Sequence, residues 1–248
     1  MLSNREGKVV PSIEFEIMEN GYWKTLSTDN IFKNKMVVAF ALPGAFTPTC
    51  SSTHLPRYNE LAPLMKENGI DEVVCFSVND TFVMNEWAKD ESIKNITMIP
   101  DGNGSFAAAM GLLVDKSKIG LGQRSWRYSM LVNDRMIEKM FIEQEGEADP
   151  LAVSDADTML KYINPQAEMP PFATLFTRAG CPHCSRARKH LDDRKIIYEE
   201  IELNNKVTGR SMFNITGGKT TPQIYIDGKY IGTADDLEKH LGLLALAK

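Results

Sequence analysis

No apolar run in the 248-residue chain exceeds the seven residues of Met36–Leu42 (MVVAFAL). A membrane-spanning helix needs roughly 20, so no span is expected. The opening residues MLSNREGKVV hold no apolar segment of signal-peptide length either. Basic runs are also missing. The net charge is −5, and the nearest candidate, RARKHLDDRK from Arg186, mixes acids among its bases. That pattern is a solvated helix face and gives no footing for nucleic acid or an anionic membrane surface. Cysteine is scarce, and four residues in so long a chain do not make a disulfide scaffold. A reducing, cytoplasmic location is therefore expected, where a retained cysteine is a buried filler, a metal ligand or a working thiol.

What is present is ordinary for a folded protein, 43% hydrophobic and 25% charged, and the length suits two domains. The stretch INPQAEMPP (Ile163–Pro171) places three prolines after an apparent helix at Ser154–Ile163 and before the apolar FATLF (Phe172–Phe176). A boundary is predicted there, giving residues 1–163, a linker 164–171 and residues 172–248. In the first part, strands are predicted at Met36–Leu42, Glu72–Val78, Ile96–Ile99, Tyr128–Asn133 and Met136–Ile142, the last two joined by an NDR turn. Helices fit Thr49–Asn68, Thr81–Lys89 and Gly104–Met110. The second part reads as strand Phe172–Phe176, a helix from Pro182, strand Ile196–Leu203 and a helix near Asn205–Phe213. A hairpin turning at Asp227-Gly228 and a last helix from Ala234 complete it. Strands alternating with helices predict an α/β fold around a central sheet in each part.

Both parts place a cysteine after a strand, where a helix begins. In PGAFTPTC (Pro43–Cys50), Pro48 marks a helix start, so Cys50 falls in or near the first turn. Unpaired backbone N–H groups and the helix dipole there favour a thiolate. Thr47, three residues back, can set its hydroxyl beside the sulfur. From spacing alone, a buried structural cysteine in a proline-rich turn fits equally well.

The segment PGAFTPTCSSTHLPRY resembles the active-site stretch of the peroxiredoxins, Pro-x-x-x-Thr-x-x-Cys, and THLP resembles the type-5 branch. DEVVCFSVND (Asp71–Asp80) and GLGQRSWRYSMLVND (Gly120–Asp134) extend the resemblance through most of residues 3–163. It implies that Cys50 is the peroxidatic cysteine, Thr47 its hydroxyl partner, Pro43 the residue shielding the sulfur and Arg127 its guanidinium partner. Arg124 lies three residues from Arg127, and a continuous strand would put the two on opposite faces, so one of them alone can point at Cys50. The implied product is a sulfenic acid that condenses with a second thiol. Cys75, in the apolar VVCFSV, is read as structural, and no other cysteine precedes Cys181. The reducing thiol must then come from elsewhere. His54 is read as a packed helix residue in preference to a general base.

CPHC (Cys181–Cys184) permits a zinc half-site or a redox dithiol. No second CxxC or nearby His pair supplies the other ligands that tetrahedral zinc needs, so a redox dithiol is expected and no metal. The helix dipole, and His183 when protonated, would favour a Cys181 thiolate. FTRAGCPHC, GGKTTPQIYIDGKYIG and TADDL resemble the glutaredoxins across nearly all of Phe172–Lys248. That resemblance makes Cys181 the nucleophile and Cys184 the second thiol. It gives Thr221 and Pro222 to a cis-proline loop that meets the peptide part of glutathione, Arg178 to its glycine carboxylate, and Ala234 and Asp235 to its γ-glutamyl end. Thr221 stands where the family commonly has Val, an exchange expected to be harmless because backbone atoms do the binding. GTADD replaces a double-glycine turn, and cap chemistry is the alternative reading for Thr221, Ala234 and Asp235.

Together the resemblances imply two thioredoxin-fold domains in tandem, a hybrid peroxiredoxin–glutaredoxin. The implied activity is reduction of hydrogen peroxide and alkyl hydroperoxides, with glutathione as co-substrate and no bound cofactor. The short linker suggests a homo-oligomer with reduction between subunits. A glutathione-disulfide oxidoreductase, or a redox sensor that uses the first domain for docking, is the alternative.

Overall fold

The computed structural model describes all residues except 1, 20, 146–148, 195 and 243–248. The chain divides into two compact units, Met1–Ala167 and Glu168–Lys248. Among the described residues no helix is long and apolar enough to cross a membrane.

The first unit opens with a hairpin of β1 (Glu14–Glu19) and β2 (Tyr22–Ser27), followed by the short α1 (Thr28–Phe32). Then come β3 (Met36–Leu42), α2 (Leu55–Glu67), β4 (Glu72–Ser77), α3 (Thr81–Asp90), β5 (Thr97–Pro100) and α4 (Ser105–Met110). A small pair, β6 (Leu113–Asp115) and β7 (Gln123–Ser125), precedes β8 (Tyr128–Asn133), β9 (Met136–Ile142) and α5 (Ala156–Ile163). The central sheet runs β5-β4-β3-β8-β9, with β3, β4 and β5 parallel and β8 and β9 antiparallel to their neighbours.

β3 lies in the middle of that sheet, which is why its sequence is apolar on both faces rather than alternating. Val37, Ala39 and Ala41 face a core containing Phe15, Phe32, Phe76 and Phe106. On the other face Phe40 stacks on Tyr58 of α2 with ring centroids 4.0 Å apart. α2 is tied to α5 by Arg57, which donates to both carboxylate oxygens of Asp157 at 2.9 and 2.6 Å. Asp80 starts α3 by accepting from the backbone N–H groups of Phe82 and Val83. The hairpin turn at NDR forms as expected, with Asp134 and Arg135 both at positive φ.

The expected continuous helix Thr49–Asn68 is not uniform. Residues 48 and 49 are helical, Cys50–His54 form a π-helical turn, and α2 follows. The β1–β2 hairpin, α1 and the β6–β7 pair have no counterpart in the sequence reading.

In the second unit, β10 (Phe172–Thr177), α6 (Pro182–Asp192) and β11 (Ile197–Glu202) lead to α7 (Gly209–Thr216). β12 (Gln223–Ile226), β13 (Lys229–Gly232) and α8 (Ala234–His240) complete it. The sheet order is β11-β10-β12-β13, with β10 and β11 parallel and the remaining pairs antiparallel. Its core joins Leu175 and Ile224 to Ala187, Leu191 and Leu237 from the covering helices. α7 starts later than the expected Asn205 because Asn204 folds residues 204–207 into a turn, accepting from the N–H groups of Lys206 and Val207. Thr208 then caps the helix by accepting from Ser211 N.

Candidate active site

Cys50 follows β3 across residues 43–49 and starts the π-helical turn. The geometry follows from Pro48, which starts the helical residues, with Ser51 N donating to Thr47 O at 3.0 Å. Cys50 and His54 are four residues apart on one face of the turn, so a single side chain can reach both. Arg127 is that side chain. It is 1% exposed, its Nη2 donates to Cys50 Sγ at 3.4 Å and its Nη1 donates to His54 Nδ1 at 2.9 Å. Nη2 also forms an ion pair with Asp149.

The histidine ring is neutral. Burial, reinforced by the Arg127 charge, pushes it down to about 3. Because Arg127 donates to Nδ1, the single ring hydrogen lies on Nε2, which donates to Ser154 O at 3.1 Å. Ser154 is fixed in turn by Glu143, whose Oε1 accepts from the N–H groups of Ala152, Val153 and Ser154 and from the Ser154 hydroxyl. Burial opposes the Glu143 charge, but these bonds outweigh it and hold the carboxyl below its usual value. A chain of contacts therefore runs from Glu143 through Ser154 and His54 to Arg127 and the sulfur.

Several expectations are revised here. Thr47 donates its hydroxyl hydrogen to Gly44 O at 2.9 Å, shaping the loop rather than presenting the hydrogen to Cys50. The strand-parity argument separating Arg124 from Arg127 fails, because β7 ends at Ser125 and β8 begins at Tyr128. Arg124 is instead consumed by the carbonyl oxygens of Val78 and Leu121, both at 2.8 Å. Pro43 is buried at the end of β3. Cys75 is fully buried on β4, and burial first, with Cys50 nearby, raises its thiol well above the ordinary value. Sequence reasoning missed Asn79, whose Oδ1 accepts from Ala45 N in the Cys50 loop, and Trp87, whose Nε1 donates to Ser51 Oγ.

In the second unit Cys181 is the N-cap of α6 and accepts from Cys184 N at 3.2 Å, with Pro182 in the first turn. Burial opposes the Cys181 anion, yet hydrogen bonds from Cys184, Thr221 and the adjacent backbone lower its thiol below the ordinary value. Cys184 is fully buried, and burial followed by its bond to Cys181 raises it. The two sulfurs are therefore unequal, with Cys181 the acidic one. The Thr221-Pro222 bond is cis. Thr221 Oγ1 donates to Cys181 Sγ at 3.5 Å, so its difference from Val is not neutral at the sulfur.

Arg178 is exposed at the end of β10, and its carbonyl accepts from Cys181 N. Ala234 is buried as the first residue of α8. Asp235 pairs with Arg186 of α6, and the capping of α8 belongs to Thr233 and Asp236. Gly232, at φ +118°, is required there, because a Cβ would lie 2.5 Å from Asp236 Oδ2.

Residues 5–160 match the Redoxin family and residues 173–231 match Glutaredoxin. The whole chain is similar to the hybrid peroxiredoxin hyPrx5 of Haemophilus influenzae, 52% identical over 96% of this chain and 99% of that one. The chain belongs to the Redoxin family, as a hybrid peroxiredoxin carrying a glutaredoxin domain. Its peroxiredoxin part is similar in structure to reduced Prx3 of Vibrio vulnificus in complex with hydrogen peroxide, with TM-score 0.61 and 35% identity over 65% of this chain and 99% of that one. The 1-Cys peroxiredoxin of Plasmodium falciparum aligns with TM-score 0.62 and 34% identity over 66% and 100% of the two chains. Both parts thus have the thioredoxin-like α/β architecture, and the hybrid peroxiredoxin is an oxidoreductase of the thiol-peroxidase class.

Proposed function

We propose that this hybrid peroxiredoxin reduces hydrogen peroxide and alkyl hydroperoxides at Cys50 and is recycled by glutathione through its own glutaredoxin domain. The observation that carries the reading is the buried Arg127, donating to Cys50 Sγ at 3.4 Å while Glu143, Ser154 and His54 hold it in place. Its buried Nε–H has no hydrogen-bond partner among the described residues.

The Cys50 thiolate attacks one peroxide oxygen, the O–O bond breaks, and the leaving oxygen takes a proton as water or alcohol. Arg127 donates where negative charge shifts along the S–O–O line, which lowers the barrier. Cys50 sulfenic acid then condenses with glutathione to a mixed disulfide and water. Cys181 thiolate attacks the glutathione sulfur, releasing Cys50 thiolate and becoming glutathionylated. A second glutathione thiolate removes that group as glutathione disulfide, or Cys184 displaces it as a Cys181–Cys184 disulfide.

Arg178, Thr221, Pro222, Ala234 and Asp235 are the proposed glutathione contacts, and Pro43 and Thr47 the loop that shapes the peroxide pocket. The linker 164–171 raises the effective concentration of one domain near another. At this length it favours reduction between subunits of a homo-oligomer. The test is peroxide consumption driven by glutathione in the intact chain, Cys50→Ser and Cys181→Ser. Loss of turnover in both variants is expected. Unchanged turnover in Cys50→Ser contradicts the reading.

A further inference from the structure

Thr221 touches the Cys181 sulfur with two different groups. Its carbonyl oxygen lies 3.5 Å from Cys181 Sγ, placed to accept from the thiol, and its Oγ1 lies 3.5 Å away, placed to donate. A thiol can donate to the carbonyl oxygen, whereas a thiolate has no hydrogen to give and can only accept from the hydroxyl. Thr221 is half-buried beside Cys181, a residue that is itself 7% exposed, so water competes poorly for either bond.

The segment carrying it is braced. Gln223 is buried, its Nε2 donates to Thr220 O at 2.6 Å, and Tyr230 OH donates to its Oε1. Gly218 leaves the space for this brace, since a Cβ there would fall 2.1 Å from Gln223 Oε1. Thr221 thus lies between Thr220, whose carbonyl Gln223 holds, and Gln223 itself.

We propose that the Thr221 hydroxyl is a catalytic hydrogen-bond donor to Cys181, stabilising its sulfur as an anion both when it attacks a glutathionyl group and when it is expelled. The proposal rests on the role given above to Cys181. In the attack, a bond forms between Cys181 Sγ and the glutathione sulfur while the Cys50–glutathione bond breaks, its electron pair leaving on Cys50. In the release, a second glutathione thiolate bonds to the same glutathione sulfur, and the pair of the broken bond returns to Cys181. The hydroxyl meets a sulfur anion at the start of the first step and at the end of the second. A lower basicity of Cys181 speeds its departure and raises its thiolate fraction at neutral pH. The shift already noted for Cys181 counts Thr221 among its causes.

The test measures alkylation of Cys181 by iodoacetamide against pH in the reduced full-length chain, read on the Cys181 peptide by mass spectrometry. Thr221→Val keeps the shape and removes the donor, and Thr221→Ser keeps the donor. Thr221→Val is expected to move the alkylation midpoint to higher pH, with Cys181 thiolate reduced about fivefold on the acid side, the loss of one hydrogen bond of ordinary net strength. Thr221→Ser is expected to retain the original midpoint. An unchanged midpoint in Thr221→Val, or an equal displacement in Thr221→Ser, overturns the proposal. Because alkylation needs neither peroxide nor glutathione, a displaced midpoint in a chain that fails to consume peroxide with glutathione refutes the proposed function and leaves standing only the Thr221 hydrogen bond to the Cys181 anion.

Discussion

His54 stays uncharged while it touches an arginine, and both facts have one cause. Burial and the Arg127 charge push it down to about 3, so Nδ1 keeps the lone pair that Arg127 needs. In the unfolded chain the ring would take a proton near 6.5. Stability is therefore full above that pH and falls as the pH drops from 6.5 toward about 3, by about 1.4 kcal/mol per pH unit. Glu143 acts in the same direction, since its lowered carboxyl contributes stability above the ordinary carboxylate range and loses it as the pH falls. Urea denaturation across that range should show the slope in the native chain and a slope shallower by about 1.4 kcal/mol per pH unit in His54→Asn, with the Glu143 contribution remaining. The sequence makes His54 legible as a packed residue, and its rings of contact with Phe40 and Tyr58 agree. Its bond to Arg127 was not legible, because the two are 73 positions apart and meet only once β3 and β8 pair.

At the scale of elements, the strands of the central sheet were the easiest to read. β3, β8 and β9 have the expected limits, because continuous or alternating apolar patterns record burial on both faces or one. The β1–β2 hairpin was legible and was overlooked, since Ile13, Phe15 and Ile17 alternate with Ser12, Glu14 and Glu16 and face the core, although most of the hairpin's residues are exposed. The Thr47 hydroxyl and the limits of α7 were misjudged for a different reason. Local hydrogen bonds of Thr, Asn and Ser side chains decide them, and several geometries suit the same residues. Two elements give direct tests. Glu143→Ala removes the acceptor for three backbone N–H groups, and a loss of about 2–3 kcal/mol is expected, with slower oxidation of Cys50, in denaturation and stopped-flow assays. Gly232→Ala drives a Cβ into the Asp236 cap of α8, and a loss of about 1 kcal/mol or more is expected.

Across the whole molecule, the sequence placed a cysteine after a strand in each part, and in the structure Cys50 follows β3 and Cys181 follows β10. They are set in different surroundings. Cys50 is held by a buried charged network, whereas Cys181 is held by neutral donors, among them the backbone N–H of Cys184 and the Thr221 hydroxyl. A cation at the first sulfur suits a reaction that moves negative charge along a peroxide, and milder donors suit reversible thiol exchange. All four cysteines are free, and Cys75 is fully buried on the central strand β4. The measurement closest to the centre of this account is the mass of the Cys50 peptide after one equivalent of hydroperoxide, before and after glutathione is added to the Cys181→Ser chain. One added oxygen atom on Cys50, replaced by a single glutathionyl group that persists, is the predicted result. Oxygen found on another residue, or a Cys50 that returns to the free thiol without Cys181, contradicts it.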